Sequence, residues 1–157
     1  VTRSWWGWGN VEDAVVGTER AELTRRVAGL LPDADLTVHG PPELAGLASD
    51  DVGDRVAHGH GQAFRNVVRV MLGRVDHVPD LVLRPRSEQD VVDVLDWCAG
   101  IAVVPFGGGT SVVGGVEPRC AGDHPGVVSL DLGRLDRIVE VDRVSRAARH
   151  RPITSRR

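Results

Sequence analysis

The sequence predicts an α+β domain built on one β-α-β unit, with a small strand-rich portion after it. Three observations carry that expectation. Leu81 to Leu83 is a short apolar run closed by Pro85, Ser87 to Gly100 reads as an amphipathic helix with both ends marked, and Ile101 to Phe106 is a second apolar run that ends on three glycines. Two strands joined by a helical crossover run parallel in their sheet.

Taken in order, the first ten residues, VTRSWWGWGN, hold Trp5, Trp6 and Trp8 without strand or helix periodicity. Such a cluster is expected to dock on a surface elsewhere in the fold, with an interface or membrane-surface contact as the alternative. Leu23, Val27, Leu30 and Leu31 fall at helical spacing within residues 19–31, ahead of Pro32. Residues 33–49, with Pro41 and Pro42, read as loop. Phe64, Val67, Val68 and Met71 mark one apolar face of a helix over 62–72, ending at Gly73. In the helix after Ser87, that serine is an N-cap and Asp90 places a carboxylate near the free amides of the first turn. Val91, Leu95 and Cys98 form its apolar stripe, and Gly100 closes it. Further strands are expected from Val127 to Leu132, from Ile138 to Val141 and from Arg146 to His150, with a turn at Gly133 and Arg134.

A chain of 157 residues with 41% hydrophobic residues has room for one domain and a real core. The net charge of -3 argues against a nucleic-acid partner, and no apolar run reaches a transmembrane segment. Two cysteines are too few for a disulfide scaffold and fit a reducing, cytoplasmic setting. All 19 basic residues are arginine, which excludes a Schiff-base lysine, a pyridoxal anchor and the lysine of a nucleoside-triphosphate P-loop.

The chemistry is concentrated after the second strand, in Phe106-Gly107-Gly108-Gly109-Thr110-Ser111. Glycines without Cβ let successive backbone amides approach an anion, and the carboxyl end of a parallel strand is where open sheets bind ligands. Phosphate or pyrophosphate is the ligand this chemistry fits; a plain flexible turn is the alternative. Two familiar phosphate motifs fail: Val112 replaces the third glycine of a dinucleotide fingerprint, and Gly115 and Val116 replace the Lys and Ser/Thr of a P-loop.

The line PDLVLRPRSEQDVVDVLDWC followed by IAVVPFGGGTSVVGG resembles the N-terminal FAD-binding segment of vanillyl-alcohol-oxidase-type (PCMH-type) flavoproteins. The flanking SWWGWGN, AHGHGQAFRNVVR and VSLDLGRLDRIVEVDRVSRAAR are similar to alkyldihydroxyacetonephosphate synthases, and the likeness runs in order over roughly residues 1–150. The resemblance implies FAD as cofactor and the first part of a PCMH-type FAD-binding domain over 76–150, preceded by a helical and loop extension over 1–75. It implies that Pro105, Gly107, Gly108, Gly109, Thr110 and Ser111 hold the pyrophosphate and that Val112, Gly114 and Gly115 continue along the cofactor. Pro79 and Asp80 match the start of the first strand, beside the FAD site, and Leu130, Asp131 and Leu132 match a supporting strand. The implied activity is exchange of an acyl for an alkyl chain on glycerone phosphate, in ether-lipid synthesis. An FAD-linked 2-hydroxyacid or aldonolactone-type oxidoreductase shares the same loop.

Residues 151–157 depart from the family pattern, so a truncated or frame-shifted chain, inactive alone, is expected, with an inactive gene remnant as a third reading. The catalytic groups of the family lie outside the resemblance, so no catalytic residue is assigned. A lipid-like or hydroxyacid substrate belongs to a full-length relative. His58-Gly59-His60 lacks partners at zinc spacing and is expected to pack or to line the cofactor edge, so no metal is assigned. Arg84 and Arg86 are expected at the surface, with a guanidinium near the pyrophosphate as the alternative, Cys98 in the core, and Cys120 in a loop without chemistry.

Overall fold

A computed structural model describes Gly40, Leu44, residues 46–119 and residues 123–150. The expected helix over 19–31, the three N-terminal tryptophans, Cys120 and the divergent tail lie outside the described residues.

The elements are β1 (Ala48–Ser49), α1 (Val52–Ala57), α2 (Phe64–Met71), β2 (Leu81–Leu83), α3 (Glu88–Trp97), β3 (Ala102–Phe106), β4 (Val127–Asp131), a 3-10 turn (Leu132–Arg134), β5 (Ile138–Asp142) and β6 (Ala147–His150). One sheet has four strands in the order β1-β2-β4-β3, and β5 and β6 form a separate two-stranded sheet. β2 and β3 both run parallel to β4, with Leu81 opposite Val128 and Phe106 opposite Asp131. The two strands of the β-α-β unit are therefore parallel as expected, but they are not neighbours.

The strand-rich portion is corrected accordingly. β4 leaves the expected set over 127–149 and fills the gap between β2 and β3, while only β5 and β6 stand apart. The reason lies in burial: Val127, Val128, Ser129 and Leu130 are all inaccessible, which an internal strand requires and a hairpin strand does not. Asp80 extends the join, its amide donating to the Val127 carbonyl (2.8 Å) while its carboxylate accepts from the Val127 amide (2.8 Å). Pro105 sits in β3, an edge strand, where a missing N–H is tolerated.

Side chains alternate across this sheet. Leu81, Leu83, Val128 and Leu130 face a core shared with Leu44, Leu47 and, on α3, Val94 and Cys98. Ser87 caps α3 as expected, its Oγ accepting from the Asp90 amide (3.0 Å) while the Asp90 carboxylate accepts from the Arg86 amide (2.7 Å). Gly100 takes a φ of 87° just past the helix. Leu95, expected on the buried stripe, is half exposed, because the helix turns Val94 and Cys98 to the sheet instead. Burial pushes the Cys98 thiol up to about 11.

Two elements have no counterpart in the sequence expectations. β1 pairs antiparallel with β2, so the stretch before Asp50 is not wholly loop. α1 is capped by Asp51, whose carboxylate accepts from the Asp54 amide (2.9 Å). α2 exists as expected but presents the opposite face. Val70 packs on Val56 and Asn66 is buried with it, while Phe64 is 84% and Met71 61% exposed.

Candidate functional site

The glycine loop leaves the carboxyl end of β3, where the register with β4 ends at Phe106 and Asp131. Gly109 is buried and adopts φ 67°, and Gly114 adopts φ 82°, so both need the left-handed region that glycine enters without penalty. Gly107 is different. Its φ is not in that region, and a Cβ built there meets nothing within 4 Å. Gly115 likewise has only the Ser111 Oγ near, at 3.7 Å, and no left-handed φ. Among the described residues, nothing requires glycine at these two positions. Among the described residues, the amides of residues 107–110 donate to no protein acceptor.

The remaining expected positions divide into free and engaged. Thr110 is exposed at the loop, and Val112 and Val113 project outward at 63% and 87% exposure. Ser111 is tied down twice: its carbonyl accepts from the Gln62 amide (2.7 Å) and its Oγ from the Gly115 amide (3.2 Å). Pro105 lies in the strand that leads to the loop rather than in the loop itself. Pro79 and Asp80 support the sheet: Arg55 Nε donates to the Pro79 carbonyl (2.8 Å), and Asp80 bonds Val127.

A charged cluster stands beneath the loop, on the sheet face opposite α3. His58 packs against Phe106 with ring centroids 4.2 Å apart and planes tilted by 44°. Its Nδ1 lies 2.7 Å from the Asp54 carbonyl and its Nε2 3.2 Å from Asp131 Oδ2. Arg84 donates to both oxygens of Asp54 (2.9 Å each) and to Asp131 (3.3 Å). Its expected surface position is thus corrected to a shared ion pair in which only a fifth of the side chain is accessible. Burial raises the Asp131 carboxyl, but the hydrogen bond and charge of His58, the Gly133 amide and Arg84 outweigh it and hold Asp131 below its ordinary range. Asp54 is likewise held down by Arg84, Ser49 and His58 against its burial. Asp131 therefore supports the fold, as expected for this strand.

Sequence reasoning placed His58 and Gly61 only by resemblance and gave Gln62 no role. The AHGHG line packs directly on the loop. Gly61 lies so close that a Cβ there would overlap the Ser111 carbonyl oxygen, and a Cβ at Gly59 would come within 2.6 Å of the His77 carbonyl. The signal was two glycines alternating with histidines, which marks close backbone approach as well as it marks a ligand set. Among the described residues, no group of three or more His, Cys, Asp or Glu gathers as a metal site, and no helix is long and apolar enough to cross a membrane.

Residues 79–152 match the family described as FAD binding domain. The alkyldihydroxyacetonephosphate synthase of Trypanosoma brucei brucei is 38% identical over 96 residues, 60% of this chain and 16% of the relative. The enzyme of the same name from Dictyostelium discoideum is 32% identical over 96 residues, 60% of this chain and 15% of the relative. The chain thus spans about a sixth of the length of these relatives. A solved alkyldihydroxyacetonephosphate synthase in space group P1 superposes with a TM-score of 0.69 at 23% identity, over 92% of this chain and 35% of that one. A second, in P212121, gives 0.61 at 26% identity over 89% and 24%. The chain is alkyldihydroxyacetonephosphate-synthase-like, its α+β fold is that of the FAD-binding domain, and FAD is its cofactor.

Proposed function

We propose that the glycine loop of this FAD-binding segment holds the cofactor's pyrophosphate. Gly107, Gly108, Gly109 and Thr110 supply backbone amides, with hydroxyl donors from Thr110 and Ser111. Val112, Gly114 and Gly115 run along the cofactor beyond it. The observation that carries this reading is Gly107, a glycine whose Cβ would meet nothing among the described residues and whose φ lies outside the left-handed region. Its lack of a side chain serves something that approaches from outside. An anion suits it, because among the described residues the amides beside it donate to no protein acceptor and they follow the end of a parallel strand.

The whole-protein function we propose is that of an ether-lipid synthase, exchanging an acyl for an alkyl chain on glycerone phosphate with FAD as the redox group. The support is the likeness to relatives bearing that name over 96 residues. In this reading the chain binds and orients the cofactor, no residue described here acts on the lipid-like substrate, and nucleic acid is not a partner. A cytoplasmic, reducing setting suits a chain whose Cys98 is a buried free thiol.

The test separates fold from ligand. Gly107→Ala leaves thermal stability unchanged or raises it slightly, by about 0.5 kcal/mol, because alanine restricts the unfolded chain. The same change lowers affinity for ADP and FAD in calorimetry, and Gly109→Val lowers it further by adding a branched side chain at φ 67°. Equal affinity of Gly107→Ala and the unaltered chain would remove the loop as the pyrophosphate site.

A further inference from the structure

We infer that residues 58–62, which precede the segment matched to the FAD-binding domain family, are positioning residues that set the shape of the glycine loop and through it the affinity for the cofactor. This rests on the loop being the pyrophosphate site.

The segment touches the loop at two separated points. At the loop's origin, the His58 ring lies against Phe106, the last residue of β3, and is itself held from both sides. One ring nitrogen meets the carbonyl of Asp54 on α1, and the other meets Asp131, which stands opposite Phe106 in the sheet register. His58 therefore braces the carboxyl end of β3, from which the loop departs, together with the carboxyl end of its neighbour β4. In the middle of the loop, Gly61 lies flush on the Ser111 backbone and Gln62 donates its amide to the Ser111 carbonyl at 2.7 Å.

That last bond has a directional consequence. In a planar trans peptide the carbonyl and the following N–H point to opposite sides. With the Ser111 carbonyl drawn toward Gln62, and no cis peptide bond in the described chain, the amide of Val112 points away from residues 58–62. The segment thus fixes the orientation of the Ser111–Val112 peptide in the middle of the loop. A loop with three consecutive glycines has unusually many conformations to lose on binding. Ordering it beforehand against a rigid support removes that loss from the binding step, which is how preorganisation raises affinity. Gly61 serves this directly, because any side chain would push the Ser111 peptide off the surface that orients it.

The experiment uses the full 157-residue chain, with residue-resolved hydrogen exchange and calorimetry with ADP and with FAD. For Gly61→Ala the expected result is a rise of about tenfold or more in exchange at residues 107–113, unchanged exchange in α3, and a fall of about tenfold in affinity for both ligands. His58→Leu, which keeps the Gly61 and Gln62 contacts with the Ser111 backbone, decides the matter if Gly61→Ala fails to fold, and is expected to loosen the origin of the loop first. Unchanged exchange at 107–113, or a rise shared equally by α3, would overturn the inference, the second because it marks a merely structural role. A chain that binds neither ADP nor FAD before any substitution removes the pyrophosphate reading alone. The exchange comparison then still decides whether residues 58–62 shape the loop.

Discussion

The five residues of β4, Val-Val-Ser-Leu-Asp, and the five of β5, Ile-Val-Glu-Val-Asp, are close in composition and opposite in surroundings. β4 has a strand on each side, the α3 core on one face and the Phe106–His58 contact at its carboxyl end, and its first four residues are buried. β5 has only β6 beside it, and every one of its residues is exposed. Val144, in the turn that joins them, is 95% exposed. Apolar content made both segments strands; neighbours alone made one of them core. The free energy of burial follows from what covers a side chain, so two strands of like sequence contribute unlike amounts.

The largest expected difference between them is in packing. Leu130→Ala in β4 is expected to cost about 2–5 kcal/mol, whereas Val141→Ala in β5 stays within about 0.5 kcal/mol. Urea unfolding of the two variants checks this, and equal shifts in midpoint would break the comparison. Acid gives a second, smaller contrast. Asp54 and Asp131 beneath the glycine loop both titrate below their ordinary value. A carboxyl lowered in the folded state stabilises fully above its unfolded value of about 3.9, and that stabilisation is lost as the pH falls through the folded value. The urea midpoint should therefore hold from pH 7 to about pH 5 and fall below about pH 4. A midpoint that rises on acidification would show that the cluster is destabilising as built. The smallest effect belongs to the hairpin turn, where Arg146 adopts φ 53°. Arg146→Gly relieves about 1 kcal/mol of left-handed strain. It should slow hydrogen exchange in residues 138–142 and leave the sheet's unfolding midpoint where it is. A shift of both would mean that the two sheets unfold as one unit.

The positions of strands could be read directly, because apolar runs bounded by Pro85, Gly107 and Gly133 mark where chain direction changes. Their order could not. A three-residue run such as Leu81–Leu83 carries no label for its partner, and β4 enters between β2 and β3 from 21 residues beyond Phe106. α1 escaped notice because six residues, one of them Gly53, are too few to show a period, although Asp51 was a fair capping signal. For α2 the period was right and the face wrong. The stripe through Phe64 and Met71 is the more apolar one, yet the Val56–Val70 contact turns it outward. At the site, the triple glycine announced itself by composition. Its supports did not, since Gly61 and Ser111 are 50 positions apart and meet only once the sheet has formed. Arg84 was misjudged for a similar reason, because both of its carboxylate partners come from other elements.

Cys98 offers an internal clock for these motions. Its thiol lies in the core between α3 and the sheet, and burial lifts its ionisation to about 11. At neutral pH burial keeps the sulfur as the thiol rather than the thiolate that alkylating reagents attack. Rapid modification therefore waits for α3 to lift from Leu83 and Val128, which returns the sulfur to water and to an ordinary thiol's acidity. The rate at which iodoacetamide marks this one residue, followed by mass spectrometry of its peptide, counts openings of the helix layer. Whether FAD slows the count would tell how far the grip of the loop is felt on the other side of the sheet.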